Sequence, residues 1–268
     1  MRFVMNPNAA YHYPIWWVGL FIAGMGVVLA VLVELMARSI VPVEFRRRHN
    51  DVAAAMLSII GVTYAVLLAF VAMLAWDNFN RAKAASYAEA GLMRDVANVA
   101  AGFAEPAQSA LRGSITGYAR TVITVEWPAQ AEGRHSDRAA GYLDAMDRTA
   151  MGLRPSTTAE GNLQAQLLQA LMRLEDARQE RTAAADSALP AIVWIVLLLG
   201  GGLTIAFASF LGAPSLAMHL AMASALAVSG ALVLTLIVAL NNPFRGDFRV
   251  SAEPFERVLV QIAAPRTP

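Results

Sequence analysis

The sequence predicts an all-α membrane protein, with four transmembrane helices and a helical stalk domain between spans two and three. Three observations predict it. Hydrophobic residues make up 57% of the 268-residue chain and charged residues only 15%, a balance too apolar for an ordinary soluble domain. No Asp, Glu, Lys or Arg stands between Arg2 and Glu34, between Asp51 and Asp77, or between Asp186 and Arg245. Each gap meets the roughly 20 apolar residues that a bilayer demands of a helix, and the last is long enough for two. The segment between the second and third gaps is charged, Ala-rich and without period-two alternation, which predicts helices and no sheet.

The first span runs from about Ile15 to Met36. Arg2 is the only basic residue ahead of it, and the apolar run is longer than a signal-peptide core, so the segment reads as a retained span. Tyr11, Tyr13, Trp16 and Trp17 form an aromatic interface anchor, with Trp76 and Trp194 as counterparts on spans two and three. The second span covers Val52 to Trp76. The long gap divides at Gly212-Ala213-Pro214-Ser215 into spans near Leu189–Leu211 and Leu216–Leu240, because Pro214 cannot continue a helix and Gly212 suits a C-terminal cap. The organisation that follows is 1–76 for the N-terminal tail and the first two spans, 77–187 for the stalk domain, 188–240 for the last two spans, and 241–268 for a C-terminal tail.

The stretch LLAFVAMLAWDNFNRAKA, residues 67–84, passes from hydrocarbon to charge with no Gly, Pro or Ser between. Residues 77–104 contain no Pro and are rich in helix formers, so span two continues out of the membrane as a stalk. Phe79, Ala82, Ala90, Met93, Ala97 and Ala100 recur on one side, with Arg81, Lys83 and Arg94 largely on others. A return helix begins at the capping-box pattern Thr157-Thr158-Ala159-Glu160 and carries Leu163, Leu167, Leu171 and Leu174 on one face. Stalks of about 28 residues would project roughly 40 Å. Between them, Pro106 opens a helix with the stripe Leu111, Ile115, Tyr118, Val122 and Val125, ended by Pro128. A further short helix follows Ser136 as cap and ends by Gly152. Residues 129–138 are the exposed tip, and the tail, punctuated by Pro243, Pro254 and Pro265, lies against the stalk base.

Both termini and the stalk domain share one side, because an even number of spans separates them. Arg38, Arg46, Arg47 and Arg48 around the first connection argue that this connection is cytoplasmic, whereas Arg173, Arg178, Arg181, Arg245, Arg249 and Arg257 argue for a cytoplasmic stalk. We adopt the second orientation.

The chain contains no Cys and has a net charge of +1, which removes disulfides and thiol chemistry and gives no reason to expect nucleic acid. No phosphate-binding Gly loop, metalloprotease or hydrolase motif, or calcium loop appears. His12, His49, His135 and His219 are scattered, so no metal site, cofactor or catalytic set is expected. Glu126-Trp127 before Pro128 reads as a structural anchor before it reads as an acid beside a binding aromatic. Glu34 and Arg38, four residues apart, suit a local ion pair better than a transport role. His219 is either a titrating group or a satisfied histidine facing a neighbouring helix, and Gly200-Gly201-Gly202 either a close helix crossing or a hinge.

In span two, Ser58, Thr63 and Tyr64 are neutral polar residues that could line a narrow path or bond across helices. Phe70, Met73 and Leu74 are candidates for a hydrophobic constriction, with ordinary packing as the alternative, and Arg81 and Lys83 are candidate charges at a pore mouth.

Six segments then suggest a family: His49-Asn50-Asp51-Val52-Ala53, the run from Gly61 through Tyr64 to Phe70, Trp76 with Phe79-Asn80-Arg81-Ala82, Glu126-Trp127-Pro128, Leu189-Pro190 with Trp194, and Asn242-Pro243-Phe244-Arg245-Gly246. As a set, over nearly the whole chain, they resemble the bestrophin-like bacterial membrane proteins. That resemblance implies a multi-pass protein of the bacterial inner membrane. By the wider likeness in layout to bestrophins, it implies an oligomeric channel whose second span lines the pore and continues into a helical cytosolic region. No convincing equivalent of the bestrophins' calcium-binding acidic cluster stands in the sequence, so calcium gating is not carried over. The expected function is a homo-oligomeric channel for small ions in the lipid bilayer, anion-favouring if Arg81 and Lys83 ring its mouth. The alternative is a non-conducting membrane scaffold whose helical domain binds a protein partner.

Overall fold

The computed structural model describes residue 11 and residues 13–263; Arg2, His12 and Pro265 lie outside them. Among the described residues every regular element is helical. Four helices are long and apolar enough to cross a membrane: α1 (Ile15–Ile40), α3 (Asn50–Ala100), α8 (Ala191–Ser209) and α9 (Leu216–Leu240). The chain divides into two compact units, residues 1–77 with 188–241 and residues 78–187 with 242–268.

In the first unit, Pro14 precedes α1, Pro190 precedes α8, and the Ser215 hydroxyl accepts from the Met218 amide to cap α9. Proline suits these starts because its missing N–H is one a helix end leaves unpaired anyway. The α1/α9 contact is made of small side chains. Ala223, Ala227 and Ala231 form a buried stripe at four-residue spacing, and a Cβ placed on Gly26 would lie 3.4 Å from that of Ala227. Small residues let two backbones approach inside lipid, where burial of apolar surface gives little drive. A short helix α2 (Val43–Arg48) fills the first connection. The Asn50 side chain then exchanges two hydrogen bonds with the Gly212 backbone, accepting at 2.7 Å and donating at 3.2 Å.

α3 runs unbroken for 51 residues, about 75 Å. Its continuation past Asp77 supplies Ala82, Ala90, Met93, Val96 and Ala100 to the core of the second unit. That core is completed by α4 (Ala107–Thr121), a π-helical turn (Val122–Glu126), α5 (Trp127–Ala131), α6 (Ala140–Gly152), α7 (Thr158–Ala185) and α10 (Glu253–Ala263). Both bonds of the Thr157/Glu160 capping box are made at the start of α7, and Asn78 donates to the Ser187 carbonyl at 3.2 Å.

Three local expectations change. Pro128 does not end its helix; the π-turn shifts the register so that Pro128 falls in the first turn of α5, where no backbone donor is required of it. The donor at the start of α6 is satisfied by Glu126, whose Oε1 accepts from the Ala139 amide at 3.1 Å, and not by Ser136. The C-terminal segment contains a helix, with Phe255 and Val258 buried and Ile262 packed against the core.

Candidate functional site

The membrane part of α3 is the least buried of the four spans. Its exposed large side chains include Val52, Met56, Ile59, Val66, Phe70 and Met73, a four-three spacing that keeps one line along a helix. At about 100° per residue, Thr63 and Arg81 stand within about 20° of Phe70, Leu74 within about 40° and Met73 within about 60°. Asp77 shares that line, about 20° from Phe70 and one turn before Arg81. These residues are brought to one face. Phe70 and Met73 are 68% and 69% exposed in the subunit, which leaves this face for lipid, another copy or a pore.

Ser58, Tyr64 and Lys83 do not share it. Ser58 and Tyr64 lie about 120° away and Lys83 about 140° away. The hydroxyls of Ser58 and Thr63 each donate to the carbonyl four residues earlier, Ala54 and Ile59, at 2.8 Å. Tyr64 fits the glycine run of α8: a Cβ on Gly200 would come within 2.7 Å of its ring and one on Gly201 within 2.9 Å of its hydroxyl. Gly200 and Gly201 therefore make a notch for Tyr64.

Two buried charged clusters emerge that the sequence did not assemble. In the first unit, the fully buried Glu34 meets Arg38 Nε at 2.8 Å, Arg46 Nη1 at 3.3 Å and His219 Nε2 at 3.3 Å. Arg46 Nη1 also donates to the Ser209 carbonyl at 2.6 Å, and His219 Nε2 lies 3.1 Å from the Ala208 carbonyl. With two acceptors facing it, Nε2 is the donor. The expected Glu34–Arg38 pair is thus one edge of a larger tie between the ends of α1, α2, α8 and α9.

In the second unit, Glu126 accepts from Arg178 at 2.7 and 2.9 Å and from Arg181 at 3.0 Å. Arg181 also donates to Glu89 and to Gln130 Oε1, and Tyr118 donates to Glu89. The Arg181 guanidinium stacks 5.2 Å from the Trp127 ring centre. Burial alone would raise the Glu126 pKa, but the hydrogen bonds and charges of Arg178 and Arg181 prevail and hold it below the usual Glu value. Burial, then the adjacent Glu89 charge, pushes the Tyr118 phenol well up. This is a neutral, fully paired network, the arrangement in which buried charges are tolerated, and it gives Glu126-Trp127 the anchoring place expected for it. Among the described residues no group of three or more His, Asp or Glu is placed to hold a metal ion.

The fold and its spans define an all-α, multi-pass membrane protein. Residues 16–255 match the model of the Bestrophin-like domain, and the chain belongs to that family. Two crystal structures of variants of a bacterial bestrophin homologue from Klebsiella pneumoniae are similar to it. One has a TM-score of 0.68 at 13% identity, covering 90% of this chain and 99% of that one. The other has 0.62 at 14%, covering 91% and 99%. A crystal structure described as a membrane protein gives 0.63 at 14%, covering 89% and 97%. At such identities the likeness is one of fold. No curated protein matches the chain by sequence.

Proposed function

We propose that the protein is a homo-oligomeric channel for small ions in the bacterial inner membrane, with α3 turned toward the axis. The observation that carries this reading is the exposed line on α3. The least buried span presents Thr63, Phe70, Met73 and Leu74 on one side, and that side leads into Asp77 and Arg81 where the hydrocarbon ends. One four-span subunit encloses no pore, so conduction requires a ring of copies sharing this line. Phe70, Met73 and Leu74 then form a hydrophobic neck that gates by dewetting. Tyr64 acts in helix packing, the Ser58 hydroxyl is committed to its own helix, and Lys83 faces away from the axis.

A ring of Arg81 attracts anions into a confined space, but Asp77 repeats in the same ring and offsets it. With one Asp77 and one Arg81 per subunit the two rings cancel in net charge, and the preference for anions is weak. The stalk unit and both termini are cytoplasmic. Of the four arginines that argue otherwise, Arg46 is buried and Arg38 is paired with Glu34, leaving Arg47 and Arg48 as surface charge.

Purified oligomers in liposomes should pass small ions. Asp77→Asn should strengthen the preference for anions, Arg81→Glu should reverse it, and Lys83→Glu should change it least. Phe70→Ala should increase the flux several-fold. Folded oligomers that pass no ion at any voltage would instead favour a non-conducting scaffold whose helical unit binds a protein partner.

A further inference from the structure

The membrane unit contains a cavity of ≈ 610 Å³ lined by all four spans, among them Met25 of α1, Leu68 of α3, Leu197 and Ile205 of α8, and Leu226 and Leu234 of α9. None of its lining residues is charged, and the Thr204 hydroxyl on its wall is already committed to the Gly200 carbonyl at 2.8 Å. The cavity reaches the subunit surface, since Met25 and Leu226 are 56% and 38% exposed.

Its origin lies in three glycines. A Cβ on Gly61, Gly202 or Gly230 would meet nothing within 4 Å, whereas Gly200 and Gly201 receive Tyr64 and Gly26 abuts Ala227. The first three do not bring helices together; they hollow the wall. Protein interiors are packed as densely as organic crystals, and beyond Thr204 this wall offers water only the hydroxyls of Tyr64 and Ser229, too few to hold a water-filled cavity of this size. An occupant must therefore be apolar. The lining takes in residues 21–29, 61–69, 197–205 and 226–234, about 12 Å along each helix, far short of the ~30 Å that a neighbouring copy's span would have to cross. A flexible hydrocarbon chain supplied by the surrounding bilayer meets both the size and the chemistry.

We propose that this cavity is an intramembrane binding site for one phospholipid acyl chain, which enters from the bilayer between the spans and packs against Leu68, Leu197 and Ile205. The occupied chain is a structural part of the subunit, and the site is independent of whether the protein conducts.

The test uses the intact protein reconstituted with a phosphatidylethanolamine/phosphatidylglycerol mixture containing a phospholipid with a diazirine at mid-chain. After illumination, mass spectrometry should find labels on Leu68, Leu197 and Ile205 as well as on the outward Leu199 and Leu232. Gly202→Leu with Gly230→Leu should reduce the three inner labels at least fivefold and leave the outer two unchanged. The single Gly202→Ala and Gly230→Ala variants, whose added Cβ atoms enter open space, should give smaller losses in the same direction and keep the test valid if the double variant does not fold. Inner residues without label in folded protein would overturn the proposal. So would inner label that persists undiminished in the filled variants, because it would then come from lipid outside the cavity. Photo-leucine at 197 joining two subunits would identify another copy as the occupant and also overturn it.

Discussion

Glu126 is a single carboxylate that neutralises one guanidinium and shares a second, inside a core where neither cation meets water. Replacing it by Gln keeps the shape and removes the charge, so Arg181 is left with Glu89 and Arg178 with the exposed Asp137 at 3.7 Å. Breaking one side of such a buried network costs about 3–5 kcal/mol, and Glu126→Gln should lower the thermal midpoint in detergent accordingly. The effect has a definite pH sign. The Glu126 pKa is held below its ordinary value in the folded protein, so its stabilisation is complete above the unfolded value of about 4.3 and is lost as pH falls through the lower folded one. The gap between wild type and Glu126→Gln should be constant near neutrality and close below about pH 4. A gap that widens in acid would contradict the assignment. At this scale the sequence was legible only where partners are near in the chain. The four-residue spacing of Glu34 and Arg38 announced their pair, but Arg46 and His219 reach Glu34 from other elements, and Arg178 lies 52 positions from Glu126. Such partners depend on helix registers that no local pattern encodes.

Among the elements, α3 and α8 are locked by the fit of Tyr64 into Gly200 and Gly201. Alanine at 200 ought to favour the helix by about 1 kcal/mol on intrinsic propensity. Its Cβ, however, would stand 2.7 Å from the Tyr64 ring, and overpacking of that kind costs about 1–3 kcal/mol. Gly200→Ala should therefore destabilise, Tyr64→Ala should destabilise through the lost contact, and the pair together should lose less than the sum, with a coupling of about 1 kcal/mol or more. A Gly200→Ala protein more stable than wild type would mean that the ring does not occupy the notch. The spans themselves were legible because each is a charge-free run of bilayer length, and the stalk helices because Thr157/Glu160 and the alanine-rich face are local signals. The π-turn was not, since the partners of Glu126 at its end, Arg178 and Arg181, lie more than fifty positions away. α10 carried a readable sign in Phe255, Val258, Leu259 and Ile262 at helical spacing, hidden by the prolines of the tail.

For the whole molecule, composition fixes the number of crossings but not the assembly, because the face that would meet other copies has the same apolar character as one facing lipid. The number of crossings has a consequence that can be checked without knowing the function. Four crossings would place the 77–187 segment and α10 on one side, with the 41–49 and 212–215 connections together on the other. The structure joins those two connections directly, through Asn50 with Gly212 and through Arg38 donating to the Ala213 carbonyl at 3.3 Å. Reporters active in only one compartment, fused at residue 133 and at the C-terminus, should give the same answer, the cytoplasmic one. A reporter inserted at 213 should give the opposite answer. Neutralising Arg47 and Arg48, the surface charges that favour the inverted insertion, should leave the result unchanged, whereas Arg46→Gln should lower the yield of folded protein by leaving the buried Glu34 with one cation fewer. Opposite readings at residue 133 and at the C-terminus would remove the four-span arrangement, and uniformly periplasmic readings at both would keep it and invert the channel in its membrane.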